Sequence, residues 1–155
     1  MKTIKISIFL LGITFMGFAQ KDEVAIKAVC EKETQSFLDR DSEAMISCHT
    51  NKAYSLMLVA ESGNVHYTTT NPEVDVQQST KAFMTQLGKP NGDTFKNSGY
   101  MIHLNGSSAF VYFDQTVTAV NGTKSNFHEV RYLEKMDGNW KIGYVGAVGF
   151  TPENK

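Results

Sequence analysis

The segment Phe127 to Val148, FHEVRYLEKMDGNWKIGYVGAV, constrains the fold more than any other, because it reads as one hairpin whose two faces can be compared residue by residue. With Asp137-Gly138 as a two-residue turn, Leu133 falls opposite Ile142, Glu134 opposite Lys141, Arg131 opposite Tyr144 and Glu129 opposite Gly146. The Glu134/Lys141 face therefore begins in water. The other face holds Phe127, Leu133, Trp140, Ile142, Tyr144 and Val148, and it also carries Glu129 and Arg131. Charges on an apolar face must be paired or solvated, since an uncompensated buried ion costs several kcal/mol. That face reads as the polar floor of an internal pocket.

At the amino end, Lys2 and Lys5 precede an apolar run from Ile6 to Phe18, and Gly17-Phe18-Ala19 supplies small residues where a signal peptidase needs them. Residues 1–19 read as a secretory signal peptide cleaved after Ala19, so the protein is expected to be secreted or periplasmic. The run is shorter than the roughly 20 apolar residues a spanning helix needs and is interrupted by Gly12 and Thr14, so no stable membrane anchor is expected after cleavage. Residues 20–155 then form a single domain of ordinary size. Of the 15 basic side chains, Lys2 and Lys5 leave with the leader, so 13 face 16 acidic ones, a formal charge of −3. No basic run marks a phosphate-binding stripe, and nucleic acid is not an expected partner.

Cys30 and Cys48 are the only cysteines. Export permits a disulfide between them, while their places on the apolar stripes of two helices suit small buried thiols; the sequence leaves both open. There is no CxxC pair, no clustered Cys/His set and no HxH or HxxxH spacing, so neither a metal nor a cofactor is expected.

Along the chain, Ile26, Val29, Cys30 and Phe37 recur at helical spacing between Asp22 and Asp39, and Glu33 lies on the same stripe. Asp41 can cap a shorter helix, Ser42 to His49, with Ala44, Met45 and Cys48 inward. Tyr54 to Ala60 reads as a buried strand that turns through Glu61-Ser62-Gly63-Asn64 into Val65 to Thr68. After a polar link, Asp75 and Gln78 have capping-box spacing for a third helix to Leu87, which Gly88, Lys89 and Pro90 end.

Beyond Thr94 all reads as strand. Asn105-Gly106 is a hairpin turn that places Ile102 opposite Ala109 and Tyr100 opposite Val111. A strict two-residue turn at Asn121-Gly122 would put Val111 and Phe113 on the face of His128 and Tyr132. A three-residue loop or a β-bulge instead brings Gln115 beside Glu129 and Phe113 beside Arg131. Both Asn-Gly pairs also match the glycosylation acceptor pattern, though the turns explain them. The order is helix, helix, two strands, helix, four long strands: an α+β fold in which a strongly curved, mostly antiparallel sheet wraps the long N-terminal helix.

The chain resembles the nuclear transport factor 2-like superfamily, in its SnoaL-like group, whose cystatin-like cone is shared by ketosteroid isomerase and scytalone dehydratase. The resemblance is carried by Ala25-Ile26 through Phe37-Leu38-Asp39-Arg40-Asp41, by Ser107-Ser108-Ala109-Phe110-Val111, and by Leu133-Glu134-Lys135-Met136-Asp137-Gly138-Asn139-Trp140-Lys141-Ile142. It implies a pocket between the first helix and the sheet and a homodimer through the outer sheet face, but no single chemistry. The isomerase's helix tyrosine falls by count at Glu33 and its aspartate base near Met57, so steroid isomerisation is not expected. The dehydratase's histidine has no assignable counterpart among His49, His66, His103 and His128.

Glu33, Glu129 and Arg131 are thus the sharpest site, with Arg131 able to hold a ligand carboxylate and Glu33 able to accept a proton if burial raises its pKa. A closed salt-bridge network filling the cone is the competing reading. Tyr54, Tyr100, Gln115 and Tyr144 are further pocket residues, aromatic bodies and polar tips that suit an apolar cavity and equally an ordinary core. On the opposite face, His128, Val130, Tyr132, Val145 and Ala147 suggest a dimer patch around Gly143. The expected function is binding of a small, partly apolar molecule. The alternatives are a cofactor-free lyase or isomerase using the same carboxylates, or a homodimeric accessory protein with a vestigial cavity.

Overall fold

The computed structural model describes the backbone of residues 3–50, 56–61, 64–69 and 76–151. Helix α1, Thr3–Asp39, extends the expected helix toward the amino end. Its stripe behaves as the spacing predicts: Ile26 and Cys30 are fully buried, Val29 and Phe37 are half-buried, and Glu33 is buried with them. The helix closes with a Schellman pattern, in which Asp41 N donates to Ser36 O at 2.9 Å and Arg40 N to Phe37 O at 3.2 Å. Arg40 occupies the left-handed position that favours glycine (φ 59°), and its guanidinium is held there by a 2.6 Å bond from Nη1 to Phe37 O. Asp41 then caps α2, Ser42–Cys48, accepting from Ala44 N at 2.9 Å. The helix stops one residue before its expected end because His49 turns extended and bridges to Ile142, with Thr50 N bonded to Ile142 O at 2.9 Å.

Strands β1, Leu56–Glu61, and β2, Asn64–Thr69, form a hairpin. Helix α3, Val76–Leu87, ends at Gly88 in the left-handed conformation, as expected. Its expected cap, Asp75, and most of the preceding link lie outside the described residues. Strands β3, Thr94–Asn105, β4, Ser108–Thr118, β5, Lys124–Met136, and β6, Asn139–Phe150, complete one six-stranded sheet of order β2-β1-β6-β5-β4-β3. Among the described strands only the β1–β6 pairing is parallel, so the mostly antiparallel expectation holds. Helix α1 packs on α2, β3 and β6, and the shared core includes Ile26, Cys30, Val111, Phe113, Leu133 and Ile142. Each of the larger fully buried side chains contributes roughly 1.5–3 kcal/mol. Among the described residues no helix is long and apolar enough to cross a membrane.

Turn chemistry settles the register, and it corrects six of the expected pairings. Asp137-Gly138 is the expected two-residue turn, with φ of 50° and 79°, and Leu133 does face Ile142. One residue further, β6 bulges at Gly143, so Arg131 pairs with Val145 and Glu129 with Ala147, in place of Tyr144 and Gly146. At the next turn the loop has three residues, Val120-Asn121-Gly122, closed by Ala119 N to Thr123 O at 2.8 Å. It restores the face agreement but places Phe113 opposite Glu129 and Gln115 opposite Phe127, two positions from the expected partners. The first turn is Gly106-Ser107 in place of Asn105-Gly106, so Val111 meets Ile102 instead of Tyr100, and Ala109 meets Leu104 instead of Ile102. A further bulge between Ser98 and Met101, with Gly99 at φ 66°, bends β3.

Candidate functional site

Arg131 on β5 sits between two carboxylates. Its Nη1 donates to Glu129 Oε2 at 2.5 Å, along its own strand, and its Nη2 donates to Glu33 Oε2 at 3.2 Å, across to α1. All three residues are buried, at 3–4 % exposure. Strand alternation and the helical stripe thus turn them toward one another, as the two patterns separately predict. His49 joins them: the extended step after α2 brings its Nε2 to 3.7 Å from Glu33 Oε1. Among the described residues, two buried nitrogens of this cluster, Arg131 Nε and His49 Nε2, have no hydrogen-bond partner.

The charges do not balance evenly. Burial alone would raise the Glu33 carboxyl, but the Arg131 charge and the His49 contact overcome it and hold the group down at about 2. The expected rise on Glu33 therefore does not occur; Glu33 is a fixed anion at neutral pH. The rise falls on Glu129 instead, where burial outweighs the attraction of Arg131. Burial opposes the Arg131 charge too, yet Glu33 and Glu129 together raise its pKa and keep it a cation. Both Arg131 Nη atoms are engaged by the protein's own carboxylates, so the arrangement does not leave Arg131 open to grip a ligand carboxylate end-on.

A second polar chain crosses the same interface. Gln115 Nε2 donates to Thr34 Oγ1 at 3.1 Å and to Asn97 Oδ1 at 3.0 Å, and Asn97 Nδ2 donates to the Tyr100 hydroxyl at 3.0 Å. Phe113 lies between the two chains: its ring stacks on Tyr100 at 4.8 Å and carries the Arg131 guanidinium at 5.4 Å on its other contact. Burial pushes the Tyr100 phenol up to about 12, so it remains a neutral hydroxyl. Gln115 and Tyr100 are therefore on the inner side, as expected, but bonded to Thr34 and Asn97 and not to the ionic cluster.

Tyr144 is not there. The Gly143 bulge sends it to the outer face, where its hydroxyl lies so close over Gly146 that a Cβ on that glycine would stand 2.8 Å from it. The same bulge turns Val145 and Ala147 inward, where both are buried, and leaves Val148 exposed outside. Tyr54 lies outside the described residues, as does the side chain of His66. His103 is exposed on β3, and His128 is on the outer face, 2.8 Å from Asp114 Oδ1 and 2.7 Å from the Tyr112 hydroxyl. Cys30 and Cys48 are free, buried thiols, and burial pushes Cys30 up to about 12. Among the described residues no His, Cys, Asp and Glu side chains gather in a set able to hold a metal ion.

No family model matches the sequence, and no curated protein matches it. Solved structures do. A cystatin-like protein of unknown function from Nostoc punctiforme superposes with a TM-score of 0.63 at 14% identity, over 83% of this chain and 91% of that one. A nuclear transport factor 2-like protein of unknown function from Shewanella oneidensis gives 0.60 at 11% identity, over 82% and 98%. The fold is that of the nuclear transport factor 2-like, cystatin-like proteins. A candidate dehydratase of the nuclear transport factor 2-like family, from Streptomyces avermitilis, gives 0.64 at 12% identity, over 86% and 99%. At such identities the likeness speaks for the nuclear transport factor 2-like fold alone.

Three members of the two polar chains escaped sequence reasoning. Thr34 stands one place after Glu33 and four after Cys30, so the buried stripe was wide enough to include it. Asn97 becomes an inner-side partner only through the packing of β3 on β4, and His49 only through the bridge to β6; neither carries a local signal.

Proposed function

We propose that this is an exported small-molecule-binding domain of the SnoaL-like type, with an internal pocket between α1 and the inner sheet face whose polar end is set by Glu33, His49, Glu129 and Arg131. One observation carries the reading. A cluster that places two carboxylates against one guanidinium still leaves Arg131 Nε and His49 Nε2 unpartnered among the described residues. Buried polar groups without partners are costly, and a bound group that completes them recovers that cost. The acid excess disfavours a ligand carboxylate; a neutral hydroxyl, which can donate to a carboxylate and accept from Nε–H, suits these partners. The apolar body of the ligand would lie against Phe113, Tyr100 and their neighbours.

Native mass spectrometry of the exported protein tests for a retained molecule, and nitrogen-15 spectra of the Arg131 Nε–H test the pole directly. Titration with 2-phenylethanol is expected to shift that resonance, and phenylacetate to leave it in place. An Arg131→Met variant that folds and retains the same small molecule overturns the reading.

A second reading, a cofactor-independent lyase or isomerase, is favoured by the 3.7 Å approach of His49 to Glu33, a histidine whose ring could move a proton beside a fixed anion. The fold shared with a candidate dehydratase accords with it. Turnover abolished by His49→Gln, with ligand retention intact, separates enzyme from binder. The outer sheet face, where Met101, Phe110 and Val148 are exposed, fits a homodimer contact, and sedimentation of the exported protein tests that assembly.

A further inference from the structure

We infer that Gln20 is a modification site: in the exported protein its side chain closes on its own α-amino group to form a terminal lactam. The inference rests on cleavage after Ala19, which makes Gln20 the first residue. Glutamine at that position alone carries an amine and a δ-carboxamide spaced to close a five-membered ring. The α-nitrogen attacks Cδ, the new C–N bond forms, the bond from Cδ to the side-chain nitrogen breaks, and that nitrogen leaves with the transferred proton as ammonia. The step is a transamidation. It changes no oxidation state and consumes no co-reactant.

The structure supplies the physical reasons. Gln20 is exposed, so its carboxamide has room to fold back. Helix α1 continues from Gln20 without a break, and two residues later Asp22 is pinned to the sheet, accepting from Lys135 Nζ at 2.6 Å and from Trp140 Nε1 at 3.0 Å. The new chain end is therefore the first turn of an anchored helix. Asp22 and Glu23 in that turn suit the positive end of the helix dipole. An α-ammonium there does not: it stands at the same positive end, next to Lys21 and one short step from the Lys135 ammonium on Asp22. The lactam removes that charge while keeping the two favourable carboxylates, and it denies aminopeptidases their substrate.

The test is expression of the full chain, leader included, in an exporting bacterial host, with intact mass and sequencing of the amino-terminal peptide taken from freshly lysed cells. The expected species begins at residue 20, is lighter than the unmodified chain by one ammonia, and resists Edman degradation until treated with pyroglutamyl peptidase. A Gln20→Ala chain, cleaved at the same place, is expected to keep a free amine and to melt at a lower temperature. A free glutamine amine at residue 20, or a lactam that accumulates only on storage, overturns the inference and leaves export standing. A chain that begins elsewhere, or keeps its leader, overturns both.

Discussion

Arg131 Nη2 and Glu33 Oε2 stand 3.2 Å apart, joining a strand and a helix 98 residues distant in sequence, with both side chains at 4–5 % exposure. The same guanidinium holds Glu129 at 2.5 Å. Removing the shared cation strands two buried carboxylates, and removing either acid leaves the cation paired with the other, so the three substitutions are not equivalent.

Arg131→Met is expected to cost about 3–5 kcal/mol of stability, because one partner of a buried ion pair is deleted while the others remain buried. Glu129→Gln is expected to cost far less, since that carboxyl is already pushed toward its neutral form. Urea denaturation of the two variants measures the difference; equal losses contradict the assignment of Arg131 as the hub.

The pH dependence has two parts of opposite sign. Glu33 titrates at about 2 in the folded chain against an ordinary 4.5, so its contribution, roughly 3 kcal/mol, is present above pH 4.5 and is lost as pH falls toward 2. Glu129 is raised, so its contribution is present below the ordinary carboxyl range and is lost as pH rises through its folded value. Stability is therefore expected to climb between about pH 2 and 4.5 and then to decline over a limited span. Glu33→Gln removes the acid limb alone, which denaturant titration at stepped pH reads directly.

Both thiols are expected to resist alkylation in the folded protein. Cys30 is pushed up to about 12 by burial and Cys48 is raised for the same reason, so neither presents thiolate at pH 8. Iodoacetamide labelling should appear only in denaturant, and reduction should leave the intact mass unchanged. A mass gain of two hydrogens on reduction would instead reveal a disulfide.

Asp22→Ala is expected to release the start of the helix from the sheet, costing about 1–2 kcal/mol through loss of bonds from Lys135 and the Trp140 indole. Trp140 is the only tryptophan and 5 % exposed, so its emission should move to longer wavelength. Unchanged emission would separate Asp22 from the burial of that ring.

Phe113→Ala is expected to cost about 3–5 kcal/mol and to merge the two polar chains, since its ring fills the space between Tyr100 and Arg131. A rise in the accessibility of Arg131 Nε–H to solvent exchange is the accompanying readout.

Local patterns in the chain were sufficient for the element order, for the inward aim of Glu33, Glu129 and Arg131, and for the Asp137-Gly138 turn. Each follows from a periodicity or a backbone preference confined to a few neighbouring residues, and such preferences survive folding when tertiary packing agrees with them. What only the tertiary structure decided lay one or two residues away from those patterns. The bulge at Gly143 carried Tyr144 outward and Val145 inward, and the three-residue loop at Asn121-Gly122 moved Phe113 opposite Glu129. A slip of one residue inverts every side chain beyond it, and no local signal says where a long, curved strand will take up the strain. The titration of the acids was decided in the same way: burial raises both carboxyls, but Glu33 is lowered by both Arg131 and His49, while Glu129 is lowered by Arg131 and raised again by the nearby Glu33 charge, and only the assembled fold brings those charges together.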